Sequence, residues 1–262
     1  MHPLIIDVVL GLFFFMAFIG LFFFSLTRGA LLLRALSPNP SGEKSHVYPI
    51  YSDMRLIKLV DFQPIISAIL LFQYHRLVAK VTSGLRQLPL RHKKVLITSC
   101  AFGNVIPEVV KSALQSGAER ILVADIINNE LLHAKSKLDE FADKVDFIED
   151  DAADMQLQDG AVDVNVMFFL LHELPHPLKQ RVLDEAGRLL VPGGRLFLAE
   201  FHRPSTWVLR ALSWTYFKVF EPYGLALWDT HDPVDYLTGN GWSCERTTYF
   251  FGNFQVITAT RL

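Results

Sequence analysis

A chain of 262 residues suits one α/β core with extensions better than two full domains, because single cores grow to roughly 250 residues before they split. Its net charge of -2 excludes the global basic field that draws proteins to nucleic acid, so no nucleic-acid partner is expected. The hydrophobic fraction of 51% is slightly high, and the two cysteines, Cys100 and Cys244, are too few for a disulfide framework or a structural zinc site, which points to a reducing compartment.

The apolar excess begins at the N-terminus. Residues 8–27 carry no charged side chain and include Phe13, Phe14, Phe15, Phe18, Phe22, Phe23 and Phe24. About 20 apolar residues rising 1.5 Å each cross a hydrocarbon layer of roughly 30 Å. Asp7 precedes the run, and Arg28 and Arg34 follow it. A cleaved signal peptide would start basic and be shorter, so the segment reads as one transmembrane helix with its C-terminal side in the cytoplasm. Residues 1–36 are therefore expected to anchor the protein in the inner (cytoplasmic) membrane, or in the mitochondrial inner membrane of a eukaryote. The stretch SPNPSGEKS (37–45) is a turn-rich linker. Residues 65–81 have helical spacing and predict one helix, packed on the domain or resting on the membrane. Residues 37–92 thus form a linker and helical cap, in which Tyr48 and Tyr51 could reach the active site.

From Lys94 onward strand and helix patterns alternate: KVLITS, a helix after Asn104, RILVAD, a helix over 130–141, VDFIED, VDVNVMFFL, a helix over 177–190, and RLFLAEF. Near-continuous apolar strands between amphipathic helices predict a parallel sheet covered on both faces. The last two strands, around SCERTTYF and FQVITATRL, are joined by FGN, a hairpin-length connection that parallel strands cannot use. A seven-stranded, mainly parallel sheet with an antiparallel last strand is expected over 93–262.

Four segments of this domain resemble class I S-adenosylmethionine-dependent methyltransferases, which have a Rossmann-like fold. Asp125 closes the second strand where the resemblance implies an acid that accepts the ribose hydroxyls, with Ile126 beside it; the local alternative is a helix cap for NNELL. DDAADMQLQDGAVDV resembles the segment that brackets adenine, which implicates Asp151 and Ala152. FFLLHELP resembles the loop that closes over cofactor and substrate, and LLVPGGRLFLAEF the turn into the fifth strand, where Gly193 and Gly194 serve the turn.

The first strand departs from that pattern. Its loop reads VLITSCAFGN: Ile97 occupies the usual acidic position, Ser99 and Ala101 replace two glycines, and Gly103 alone remains. On Ser99, Cys100, Ala101, Phe102, Gly103 and Asn104, the loop is similar to that of the rhodoquinone-biosynthesis proteins, a methyltransferase-related family. That resemblance implies replacement of a ubiquinone methoxy group by an amino group donated by S-adenosylmethionine, assisted by a divalent metal such as manganese. The expected substrate is a polyprenyl quinone in a lipid membrane. An ordinary methyltransferase acting on a quinone precursor or another lipid is the alternative, and a non-catalytic binding protein of this fold the third reading.

Cys100 lies in the cofactor loop without an obvious nearby cation, which favours a packing thiol. In LLHELPH, His172 and Glu173 are the expected catalytic pair, since an imidazole and a carboxylate can move protons; packing is the competing role for His172 and the favoured one for His176. In LWDTHDP, Asp229 and His231 are candidate manganese ligands, with Asp232 explicable as a helix cap. Residues 203–220, RPSTWVLRALSWTYFKVF, read as a lid or interfacial helix admitting a lipid-tailed substrate, with a buried core helix as the competitor.

Overall fold

The computed structural model describes residues 10, 11, 14, 54–228 and 230–262. Apart from Leu10, Gly11 and Phe14, which are helical, the expected membrane span lies outside these residues, as do Tyr48, Tyr51 and Asp229. Among the described residues no single helix is long and apolar enough to cross a membrane.

Residues 54–86 form three helices: α1 (Met54–Val60), α2 (Gln63–Ile69) and α3 (Tyr74–Arg86). The single helix expected over 65–81 is broken, and α2 meets α3 at a bend of 97°. Leu71 and Phe72 adopt φ of 49° and 59°, a left-handed excursion that no α-helix contains. The apolar spacing continues across the bend because both helices bury one face in the same core, through Ile66 on α2 and Leu77, Val81 and Leu85 on α3.

The sheet follows the expected order: β1 (Lys94–Thr98), β2 (Arg120–Asp125), β3 (Val145–Glu149), β4 (Val162–Phe168), β5 (Leu190–Phe201), β6 (Trp242–Tyr249) and β7 (Phe254–Arg261). Spatially they run β3-β2-β1-β4-β5-β7-β6. The neighbours among β1 to β5 pair in parallel, and β7 is antiparallel to both β5 and β6. Helices α4 (Val105–Gln115), α5 (Asn128–Ser136), α6 (His176–Leu189), α7 (Trp207–Phe220) and α8 (Pro233–Gly239) complete the fold. The central strands are buried on both faces, as Val95, Leu96, Val164, Val166, Leu196 and Leu198 illustrate, which is why they read as continuous apolar runs.

The LVPGG segment is an irregularity inside β5. Val162 pairs with Leu190 and Val164 with Arg195, so the pairing register shifts between them. A Cβ on Gly194 would lie 2.8 Å from the Val191 carbonyl oxygen and 3.1 Å from that of Asp163, so only glycine fits. Because β1, β2 and β4 are parallel, their loops open at one edge of the sheet. The order of β1 reverses there, with β2 and β3 on one side and β4 on the other, and such switch points are where ligands bind in α/β sheets.

Candidate active site

The loop after β1 turns on Ser99, whose φ is 75°. Its geometry is set by Asp125 at the end of β2: Cys100 N donates to Asp125 Oδ2 at 2.6 Å and Ile127 N donates to Oδ1 at 2.8 Å. The Ser99 hydroxyl and Ile126 N–H also favour the charged form of this carboxylate, so Ser99, Cys100 and Ile126 surround Asp125. Burial nonetheless raises the Asp125 carboxyl above the usual range, and the amide donors only partly offset it. The Cys100 thiol is raised as well, by burial and by the charges of Asp125 and Glu130, so it is a protonated packing group at neutral pH.

The other half of the loop faces the N-terminal helices. Gly103 N donates to Asp61 Oδ1 at 2.7 Å, and Lys137 Nζ joins Asp61 Oδ1 to the Gly103 carbonyl, each at 2.8 Å. His133 Nε2 lies 3.0 Å from Asp61 Oδ2. The Tyr74 hydroxyl accepts from Val105 N at 2.7 Å and donates to the Phe102 carbonyl at 3.1 Å. Gly103 has φ of 82°, and a Cβ there would strike that hydroxyl. Its glycine requirement therefore comes from Tyr74 within the chain. Asn104 is exposed and stands at the N-cap of α4, where its carbonyl accepts from Glu108 N at 3.0 Å.

Beyond β3, Asp151 and Ala152 are half-buried, and Asp151 Oδ1 accepts from Ala153 N at 2.9 Å, which closes the turn they occupy. Glu130, in the first turn of α5, was not singled out from the sequence because an acid there simply matches the helix dipole. It is 3% exposed, and its Oε1 has no partner. Burial and the neighbouring Asp125 push its carboxyl up to about 9, Lys137 opposing, with Asp61 and Glu173 adding to the rise. Carboxylates thus outnumber cations at this edge.

The structure places His172 in a short turn (Leu171–Glu173) after β4, 4% exposed, between two carboxylates that the sequence reading missed. His172 Nδ1 lies 3.0 Å from Glu200 Oε1 near the end of β5, and Nε2 lies 3.2 Å from Glu221 Oε2 just past α7. Glu173 Oε1 is more distant, 3.9 Å from Nε2, and its side chain is 20% exposed. Burial would lower the His172 imidazole, but Glu200 and Glu221 reverse that and hold it at about 9, so it is an imidazolium at neutral pH. Phe201 and Phe169 lie edge-on to the ring, with centroids at 4.9 and 6.0 Å. Such a group cannot be reached from solvent and ties α7 to the sheet.

Of the candidate manganese ligands, Asp229 lies outside the described residues, while the His231 ring stacks on His176. Asp232 caps α8 through Val234 N at 2.8 Å and pairs with Arg246. Among the described residues no group of three His, Cys, Asp or Glu side chains could hold a metal ion.

With this geometry in hand, comparison with known proteins is decisive at the family level. Residues 59–241 match the model of the ubiE/COQ5 methyltransferase family. The chain belongs to that family. It is 28% identical over 152 residues to a ubiquinone/menaquinone biosynthesis C-methyltransferase of Roseobacter denitrificans, covering 57% of this chain and 59% of that protein. It is 30% identical over 158 residues to a demethylmenaquinone methyltransferase of Lactococcus lactis, covering 60% and 61% respectively. The matched region thus spans about three fifths of these relatives. Among solved structures, an O-methyltransferase family protein from Burkholderia thailandensis aligns with a TM-score of 0.60 at 17% identity, over 90% of this chain and 68% of that one. Magnesium protoporphyrin IX methyltransferase from Synechocystis with bound SAH aligns with a TM-score of 0.53 at 20% identity, over 72% and 83%. At these identities the structural matches establish the class I methyltransferase fold.

Proposed function

We propose that this protein is an S-adenosylmethionine-dependent methyltransferase acting on a polyprenyl quinone or its precursor, held at the membrane by residues 1–36. The observation that carries the reading is Asp125: a buried carboxylate closing β2 at the switch point, held by the Cys100 and Ile127 amides, in a chain of the ubiE/COQ5 family. A ribose hydroxyl would donate to the lone pairs that these two amides leave on it. The quinone substrate is inferred from these relatives, which are named for ubiquinone, menaquinone and demethylmenaquinone methylation.

The residues at this edge fit the cofactor. Glu130, buried and protonated beside Asp125 with an unpartnered Oε1, would face its cationic end and give up its proton as that cation binds, supplying the acid that Ile97 lacks at the end of β1. Asp151 and Ala152 would border the adenine. Bound there, S-adenosylmethionine supplies an electrophilic methyl group on a sulfonium. Glu173, the more exposed of the carboxylates around His172, would accept the proton released from the ring carbon that is methylated. His172 would act as a positioning residue, holding Glu173 and α7 in register.

One observation favours a second reading, amino transfer to ubiquinone as in the rhodoquinone-biosynthesis proteins. Ile97 is buried, 4% exposed, where the acid of ordinary members would stand, and the carboxylate is displaced onto α5 as Glu130. A cofactor gripped from that side would present a different group to the substrate. The readings separate by isotope. Full-length protein in vesicles loaded either with a reduced quinone precursor that bears a ring C–H or with ubiquinone is given S-adenosylmethionine labelled either in its methyl carbon or in its amino nitrogen, with and without manganese. Methyl label in the quinone, unaffected by chelator, is the expected result. Nitrogen label appearing only with manganese would establish the second reading, and no label from either would sink both.

A further inference from the structure

Helix α7 is turned inside out by the standards of a water-facing helix. Such a helix hides its apolar stripe and shows polar residues. In WVLRALSWTYFKVF, Trp207 is 78% exposed, Leu212 54% and Trp214 49%, while Phe217 is buried. Trp207, Ala211 and Trp214 recur at helical spacing with Val208 and Leu212 alongside, so the exposed apolar side chains form one continuous stripe.

The β6–β7 hairpin extends that stripe. Ser205 N and Ser205 Oγ both donate to the Phe251 carbonyl, at 2.7 and 2.8 Å, which fixes the hairpin tip beside the start of α7. The Phe251 side chain is 63% exposed.

The charge on this surface has one sign. From 202 to 220 there is no Asp or Glu, whereas Arg203, Arg210 and Lys218 punctuate the segment. Lys218 Nζ lies 5.8 Å from the centre of the Trp214 ring, and the Arg210 guanidinium sits over the Pro204 carbonyl at 3.2 Å. Arg203, Arg210, Trp207, Trp214 and Trp228 line a groove of about 350 Å³. Tryptophan beside basic residues matches the boundary between acyl chains and anionic headgroups, where an indole is half wet and half apolar. A second copy docked face to face by a twofold axis would set these cations against their own kind.

We propose that α7 and the hairpin tip form a docking surface for an anionic lipid bilayer, distinct from any anchor at the N-terminus. The surface lies on the edge of the sheet that carries the candidate active site, because α7 follows the C-terminal end of β5 and is tied to His172 through Glu221. Docking would turn that edge towards the lipid phase, where a long-tailed substrate resides. The proposal holds whichever group is transferred.

Tryptophan fluorescence tests it on the full chain. The four tryptophans are Trp207, Trp214, Trp228 and Trp242, none of them in the N-terminal segment. Trp228 and Trp242 are buried, at 9% and 6% exposure. In vesicles of equal parts phosphatidylglycerol and brominated phosphatidylcholine, emission is expected to shift to the blue and to be quenched. The W207Y/W214Y variant, altered only at exposed sites, is expected to lose that quenching while melting at the wild-type temperature. R203Q/K218Q, or vesicles without phosphatidylglycerol, should reduce quenching several-fold. Emission unquenched by bromolipid yet open to iodide would overturn the proposal. So would emission closed to both, which would mean that protein, a second copy or the chain's own N-terminal segment, covers the stripe. Equal quenching on neutral vesicles would overturn the anionic preference.

Discussion

Replacing His172 with Gln is the most informative single perturbation, because it removes a cation from between two buried carboxylates. The ring nitrogens lie 3.0 and 3.2 Å from Glu200 and Glu221. At an effective dielectric of about 20, each contact is an attraction of about 5 kcal/mol, largely offset by the desolvation of three ions. The intact cluster therefore contributes little net stability, but its loss leaves two unpaired carboxylates, and breaking a buried pair in this way costs about 3–5 kcal/mol. For a domain of this size that lowers Tm by roughly 6–20 °C. The pH dependence is the sharper assay. His172 is raised from an ordinary 6.5 to about 9, so its contribution is fully present below 6.5 and is lost as pH climbs through 9; the interval corresponds to about 3 kcal/mol. In H172Q, stability should instead recover as pH falls, because burial already raises the Glu221 carboxyl, which takes up a proton once its cationic partner is gone. Chemical denaturation of both proteins across pH 5 to 9 should give curves that diverge towards neutral pH. A variant within about 1 kcal/mol of wild type at pH 7, with a parallel pH profile, would refute the ion cluster.

Three further outcomes follow from the same structure. Glu130→Gln should weaken S-adenosylmethionine binding at least tenfold by calorimetry. It should also stabilise the ligand-free protein at pH 8, because stability from the Glu130 proton is present below 4.5 and is lost as pH rises towards about 9; unchanged affinity would remove Glu130 from the site. Gly103→Ala should cost about 2 kcal/mol from its left-handed backbone and the collision with Tyr74, whereas adding Tyr74→Phe should cost less than the sum of the two single changes. Strict additivity in urea melts would mean that the two do not touch. Asp125→Ala strands the Cys100 and Ile127 amides and should cost about 1–3 kcal/mol, together with loss of detectable cofactor binding; retained binding would contradict the assignment at the end of β2.

Local pattern was enough for the sheet. Central strands such as VLIT and VDVNVMF are buried on both faces and therefore write themselves into the sequence as apolar runs, and FGN could only join antiparallel neighbours. Asp125 was legible for a related reason: an acid ending an apolar strand just before a helix is a positional signal within one βα unit. The break between α2 and α3 was not, because the apolar spacing runs on across a bend made by the backbone at Leu71 and Phe72.

The contacts around the candidate site emerge only in the tertiary structure. Glu200, Glu221, Asp61 and Tyr74 meet their partners across 28, 49, 42 and 31 positions of the chain, and in one dimension each is an ordinary polar residue near an element's end. Periodicity reports which face of an element is apolar, a property of neighbours a few residues apart. It carries no information about which carboxylate will be buried against which cation. Sequence alone therefore determined the succession of strands along the chain and the acid at the end of β2. Folding decided that His172 is an enclosed imidazolium, that Gly103 yields to Tyr74, and that the tryptophans of α7 face outward, because each depends on elements brought together from distant parts of the chain.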